Sequence, residues 1–123
     1  MNAGAFEFDE YAGSARGLFA RPVMPGNIIA LREHIQAIKY EVFLDGGSLG
    51  TPVDLVVADV MLTALAEWRL DKIGYSFVFE APGTLWPLAA KRYRVVVTFT
   101  QTSLAGGKNF ILVWQVNTKD PTQ

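Results

Sequence analysis

A chain of 123 residues, with eleven basic and twelve acidic side chains and a formal net charge of −1, has the length of a single domain. The absence of cysteine excludes disulfide scaffolds, thiolate zinc sites and iron–sulfur clusters, and a single histidine excludes a metal site built from several histidines. The near-neutral charge argues against a nucleic-acid partner. Half of the residues are hydrophobic, which indicates a large core or a surface that contacts other subunits.

The N-terminal segment, residues 1–15, contains acidic and aromatic residues in alternation and no basic residue. These residues are Phe6, Glu7, Phe8, Asp9, Glu10 and Tyr11. We expect an extended arm, separate from the domain, that places its rings in pockets of a neighbouring subunit and its carboxylates against arginines there. The alternative is a frayed terminus. If the arm is separate, its removal should weaken assembly and leave the melting of the domain nearly unchanged.

Neither secretion nor membrane insertion is indicated. The first ten residues lack the basic and apolar regions of a signal peptide. The longest apolar runs fall far short of the roughly 20 residues that a membrane helix needs. We therefore expect a chain made in a cytoplasm, without a membrane partner.

The first predicted strands of the domain are short. The ranges 16–23 and 27–31 are typical of edge strands separated by a Pro-Gly turn, and Pro22 restricts the first to an edge or a bulge. Period-two alternation then predicts a strand over residues 38–44 that ends at the turn Asp45-Gly46-Gly47.

The segment 53–70 carries two signals. Its valines favour a strand, whereas the alanines, leucine and glutamate near residues 64–67 favour a helix. Since short strands surround it, we expect a further strand followed by a turn of helix near residues 60–69.

The last three predicted strands are the clearest. Tyr75, Phe77 and Phe79 share one face of a short strand that ends at a Pro-Gly turn. The ranges 92–100 and 110–118 both alternate between apolar and polar residues, and two glycines lie in the turn between them. These two ranges predict a β-hairpin.

Together these elements predict an all-β fold, an antiparallel sandwich or barrel of about seven strands. The domain is expected to span residues 16–118, after the arm of residues 1–15 and before a C-terminal tail of residues 119–123.

No motif in the sequence indicates catalysis. His34 has neither a nucleophile motif nor a second histidine to work with, so a surface or loop position is expected. The glycines of Asp45–Gly50 lack the lysine and hydroxyl residue of a phosphate loop and indicate a turn. The carboxylates show no metal-ligand spacing. We expect a protein without enzymatic activity, cofactor or metal.

Two features remain as candidate contact residues. Arg92 and Arg94 belong to the one basic cluster and alternate with Tyr93, which indicates a solvent-exposed strand face or a docking site for an acidic partner. Trp86 lies in a loop between prolines, where it belongs either to the core or to an interface.

The runs Ile38–Phe43, Asp71–Phe77 and Lys91–Thr100 resemble small immunoglobulin-like β-sandwich proteins of tailed bacteriophages and phage-like elements. The resemblance covers most of residues 16–118 and extends loosely to the N-terminal sandwich domains of phage baseplate proteins. It implies an immunoglobulin-like fold and a virion structural protein: a head–tail connector, a tail or baseplate subunit, or a capsid-decoration subunit. Its partners would be copies of itself and other virion proteins, in a particle assembled in the host cytoplasm. The family supplies no catalytic residue.

The alternative from a different class is a small carbohydrate-binding module that uses Trp86 and the loops around Gly47 and Gly106. An enzyme would require a carboxylate pair or a Ser–His pair to meet in a pocket.

Overall fold

The computed structural model describes residues 2–45, 47–68 and 71–120. In this part of the chain it contains eleven strands, seven of which have five or more residues, and one helix, α1 (Val57–Val60). The strands are β1 (Asn2–Tyr11), β2 (Arg16–Ala20), β3 (Val23–Met24), β4 (Ile28–Ile29), β5 (Ile35–Leu44), β6 (Gly47–Ser48), β7 (Val53–Leu55), β8 (Met61–Trp68), β9 (Asp71–Ala81), β10 (Arg92–Gln101) and β11 (Asn109–Lys119). In the described ranges no helix has the length and hydrophobicity that crossing a membrane requires, since α1 has four residues.

The strands form a large sheet, a small sheet and a two-stranded ribbon. The large sheet has the order β1-β11-β10-β5, and both β6 and β7 pair with the far side of β5. All neighbours in it are antiparallel except β1, which runs parallel to β11. The small sheet has the antiparallel order β2-β9-β8, and β3 pairs with β4. The predicted all-β sandwich is therefore confirmed, whereas its immunoglobulin-like character stays a prediction.

One hydrophobic core lies between the two sheets. Phe77 of the small sheet packs against two rings of the large sheet, Phe99 at 5.3 Å and Trp114 at 5.7 Å between centroids. Tyr40 of the large sheet likewise meets Phe79 of the small sheet at 5.0 Å. Because a sheet buries only one of its faces in such a packing, the large sheet has a core face and an outer face.

The predicted hairpin is confirmed as β10 and β11, which pair from Arg92↔Asn117 to Thr100↔Asn109. Alternation identified its core face, and the eight residues of that face are buried. They are Tyr93, Val95, Val97, Phe99, Phe110, Leu112, Trp114 and Val116. Between the strands, Gly106 and Gly107 both have positive φ, the conformation that glycine adopts without steric cost.

The predicted edge position of the first strand is also confirmed. β2 lies at the edge of the small sheet. Pro22 follows it and separates it from β3, so the proline occupies no ladder position. The carbonyl of Pro22 accepts a hydrogen bond from the backbone N–H of Ala30 at 2.8 Å, which closes the β3–β4 ribbon.

The separation of residues 1–15 from the domain is wrong for most of that segment. β1 pairs with β11 along almost its whole length, from Asn2↔Ile111 to Tyr11↔Lys119. The alternation of rings and acids in this segment is thus the ordinary alternation of a strand with one buried face. At the other end, β11 continues to Lys119, and residues 121–123 lie outside the described residues.

The segment 53–70 contains the predicted strand and helical turn, but in different places. The helical turn is α1, at Val57–Val60, and residues 61–68 form the strand β8. Pairing with β9 therefore overrides the helix propensity of Ala64–Glu67.

Tyr75 also departs from its prediction. Phe77 and Phe79 join the core, but Tyr75 is half-buried and packs on Phe19 and Trp68, at 5.0 and 6.2 Å between centroids. The pairing of β8 with β9 shifts register twice along its length, and the regular alternation of the strand is lost there.

Candidate functional site

The rings of β1 pack against the protein's own core. Phe6 stacks on Trp114 with 5.2 Å between ring centroids, and Phe8 meets Trp86 edge-on at 6.3 Å. The guanidinium of Arg16 lies 4.0 Å from the centre of the Phe8 ring, a cation–π contact. Phe6 and Phe8 are therefore not available as anchors for a neighbouring subunit. Tyr11, at the end of the strand, remains 46% exposed.

Glu7 also has partners within the chain. Its Oε2 accepts hydrogen bonds from Nε2 of Gln115 and from Nδ2 of Asn117, the latter at 3.3 Å. All three side chains lie on the outer face of the large sheet, because Glu7 is the register partner of Gln115 and Asn117 lies two residues farther along the same strand.

The other two acids of the segment form ion pairs at the surface. Oε2 of Glu10 lies 3.4 Å from Nη1 of Arg16, and Oδ2 of Asp9 lies 3.6 Å from Nζ of Lys119. These pairs form within the single chain, and the predicted pairing of these acids with arginines of a neighbour stays a prediction. Exposed pairs of this kind contribute about 0.2–1 kcal/mol each.

Arg92 and Arg94 lie on the outer face, as the alternation with the buried Tyr93 predicts. Both side chains are exposed, and within the described ranges neither forms a hydrogen bond or an ion pair. The register places Arg94 beside Gln115 and Arg92 beside Asn117. The two arginines therefore stand one strand away from the amides that hold Glu7.

The centre of the outer face is aliphatic. Val96 of β10 pairs with Val113 of β11, and Thr98 pairs with Ile111. All four side chains are only partly buried, although they lie in the middle of the large sheet. The alternation described for residues 92–100 and 110–118 did not predict this strip. The polar residues Gln115 and Asn117 on the same strand conceal it in a hydropathy pattern.

Trp86 is not an interface residue, because it is fully buried at 0% exposure. Its Nε1 donates a hydrogen bond of 2.8 Å to the carbonyl oxygen of Ser14, and its own carbonyl accepts from the N–H of Gly13 at 2.9 Å. The loop tryptophan therefore ties the segment after β1 to the core. This position also removes it from the predicted carbohydrate site.

The predicted glycine loops are parts of the fold as well. Gly47 begins β6 and pairs with Leu44 of the large sheet. Gly106 ends a 3₁₀ turn of residues 103–105. Thr102 caps the start of this turn, because the Oγ1 of Thr102 accepts a hydrogen bond of 3.3 Å from the N–H of Ala105. Both glycines thus belong to elements of the fold, and Gly106 has the positive φ that glycine adopts without steric cost.

His34 occupies a short 3₁₀ turn of residues 32–34. Its Nδ1 accepts a hydrogen bond of 3.0 Å from the N–H of Leu31, and its Nε2 lies 4.0 Å from Oε1 of Glu33. The imidazole therefore closes a turn at the start of β5. Across residues 2–45, 47–68 and 71–120, no group of three or more His, Asp or Glu side chains could hold a metal ion.

A cleft that sequence analysis did not predict opens where the edge of the large sheet approaches β2. Its volume is about 200 Å³. Its walls are mainly aromatic, with one acid and one base at the rim: Phe6, Phe19, Trp68, Trp114, Glu7 and Arg16. We call it the aromatic cleft. Phe19 lies between the buried residues Leu18 and Ala20, and its own ring is 36% exposed.

Comparison with known proteins leaves the function to be argued from this geometry. No protein-family model matches the chain, and neither a curated protein nor a solved structure does.

Proposed function

We propose that this chain is a structural protein without enzymatic activity that acts by protein–protein assembly. The outer face of the large sheet supports the proposal. It combines a partly exposed aliphatic strip, which includes Ile111 and Val113, with arginines that have no ion pair among the described residues and with acids at its edge. An apolar centre with a charged rim is the usual composition of a protein–protein interface.

The place of assembly that we propose is a bacteriophage virion, as a head–tail connector, a tail or baseplate subunit, or a capsid-decoration subunit. This part of the proposal is supported by the resemblance of residues 16–118 to phage sandwich proteins. The partners would be copies of the chain and other virion proteins.

Sedimentation velocity and native mass spectrometry test the assembly function on the intact chain. We expect oligomers whose fraction increases with protein concentration from about 1 μM to 1 mM, the range in which interfaces of small to standard size associate. A monomer at every concentration, with no virion protein bound on co-expression, would contradict the proposal. Proteomic analysis of purified particles from the phage that encodes the chain tests the location separately.

The second candidate function is carbohydrate binding, at the aromatic cleft and not at Trp86. The observation in its favour is the half-buried Trp68 beside the exposed Phe19, with Glu7 and Arg16 as polar groups at the rim. Sugar titrations followed by tryptophan fluorescence test it, and Trp68→Ala should abolish any signal. If no mono- or oligosaccharide changes the fluorescence, this candidate fails.

A further inference from the structure

We propose that two copies of the chain dimerise through the outer faces of their large sheets, about a two-fold axis that runs parallel to β11. In this arrangement Glu7 and Asp9 of each copy lie opposite Arg94 and Arg92 of the other copy. The inference rests on the proposed assembly function and specifies its surface, its symmetry and its charge pairs.

On the outer face, two columns of charge flank β11, and farther charges lie on β5 at Lys39 and Glu41. Glu7, Gln115 and Arg94 form one row across β1, β11 and β10, because each is the register partner of the next. Asp9, Asn117 and Arg92 form the neighbouring row in the same way. Adjacent strands lie about 4.8 Å apart, so an acidic column and a basic column flank β11 at equal distances of about 4.8 Å.

This arrangement is self-complementary about one axis only. Consider a two-fold axis parallel to β11, midway between two facing sheets. Rotation about it leaves each row at the same position along the strand direction, but places β1 of one copy over β10 of the other. The acidic column of one copy then lies over the basic column of the other, twice per dimer. An axis in the same plane but perpendicular to the strands would place β10 over β10 and β1 over β1. Like charges would then face each other and repel.

The distances suit such a packing. Facing sheets pack about 10 Å apart, a gap that an arginine and a carboxylate side chain span together. On the axis itself Ile111 and Val113 would face their own copies, and so would the amides of Gln115 and Asn117. The charged pairs would thus lie on both sides of the amides of Gln115 and Asn117, and the aliphatic part of the contact would lie next to them along β11.

The charged groups are free to form these pairs. Both hydrogen bonds to Glu7 end on Oε2, and its Oε1 has no bond among the described residues. Asp9 uses Oδ2 for Lys119 in the same way. Glu7 is therefore held in place by the two amides through Oε2, and its Oε1 can accept a further hydrogen bond. Arg92 and Arg94 carry the matching donors.

The contact area sets the expected strength. Three strands about 4.8 Å apart and about ten residues long at 3.3 Å each cover roughly 500 Å² per copy, or roughly 1,000 Å² in total. That is near the lower limit for a specific interface. We expect a reversible dimer that weakens as the salt concentration rises, since salt screens exposed charges.

A charge exchange tests the proposal. In the variant E7K/D9K both columns are basic, and in R92E/R94E both are acidic. Each variant alone should associate with itself at least tenfold more weakly than the original chain. An equimolar mixture should restore dimers to near the original affinity, because a mixed pair again has opposite charges at both column contacts. The readouts are sedimentation velocity and native mass spectrometry, which separates mixed from like pairs by mass.

Two control variants carry the same charge changes on other surfaces. E33K/E67K matches the first variant and K72E/K108E matches the second. These controls should self-associate like the original chain, and their mixture should show no extra mixed dimer. Circular dichroism checks folding, and R92E/R94E removes no hydrogen bond of the described chain.

The outcomes separate this inference from the proposed function. If the original chain assembles but the reversals leave its association unchanged, the assembly function stands and this interface is refuted. The interface is also refuted if the mixture of E7K/D9K with R92E/R94E fails to restore dimers. It is refuted as well if the control variants weaken association as much as these two variants do. If the original chain stays monomeric up to 1 mM, the dimer proposed here is refuted as well.

Discussion

The sharpest consequence of the fold is that the N-terminal strand stabilises the domain. Phe6→Ala removes a half-buried ring that stacks on Trp114 at 5.2 Å. Truncation of a fully buried phenylalanine costs about 3–5 kcal/mol, and a stacked pair contributes about 0.5–1.5 kcal/mol beyond its buried area. For a half-buried ring we expect a loss of about 2 kcal/mol in the free energy of unfolding.

Thermal and urea unfolding measure this loss. At about 2.1 cal/mol/K per residue, a chain of this length loses about 4 °C in Tm for each kcal/mol, so the expected decrease is about 8 °C. Tyr11→Ala, in the same strand but with a side chain 46% exposed, is the matched control and should stay within about 0.5 kcal/mol. Equal stability of the two variants would show that β1 is not held by its rings. The expectation of a separate arm would then be restored.

Two further changes test the contacts around the loop after β9. Gly83→Ala would place a Cβ on the backbone carbonyl of Gly13, so we expect a loss above about 2 kcal/mol, whereas Gly50→Ala meets no atom within 4 Å and should be nearly neutral in the same urea series. Trp86→Phe keeps most of the buried ring but leaves the carbonyl of Ser14 without its 2.8 Å donor, and should cost about 1–3 kcal/mol. A neutral Gly83→Ala, or a Trp86→Phe variant as stable as the original, would show that the segment after β1 is not tied to this loop.

The sequence was sufficient to predict a strand and its core face where apolar and polar residues alternate without interruption. The β10–β11 hairpin could be predicted with its core face because each residue contributes the same signal, and the pairing partner follows after a short turn. The same signal was present in β1, where Phe6 and Phe8 alternate with Glu7 and Asp9. It was misread because its partner strand lies more than 100 residues away, and the acids alone are typical of a solvated tail.

Residue composition misled the prediction where pairing outweighs local preference. Residues 64–67 are good helix formers, but pairing with β9 draws them into β8. For Trp86 the flanking prolines indicated a loop and left a core position and an interface position both open. Burial of its ring depends on the segment around Ser14, which is distant in sequence.

The outer face of the large sheet could also be predicted only in part. Alternation placed Arg92 and Arg94 on the exposed face of their strand, and composition identified the acidic segment. Nothing in the sequence showed that these two groups flank the same strand.

By itself, the order of residues determined the all-β class, the late hairpin and the buried faces of its strands, because these depend on local alternation and on short turns. The tertiary structure alone decided that β1 runs parallel to β11, and therefore that the acidic and basic columns lie on either side of β11. No short turn joins two parallel strands from opposite ends of a chain, so their pairing leaves no local signal in the sequence. Its register is set by the fit of Phe6 and Phe8 to the core, which exists only after the rest of the sheet has formed.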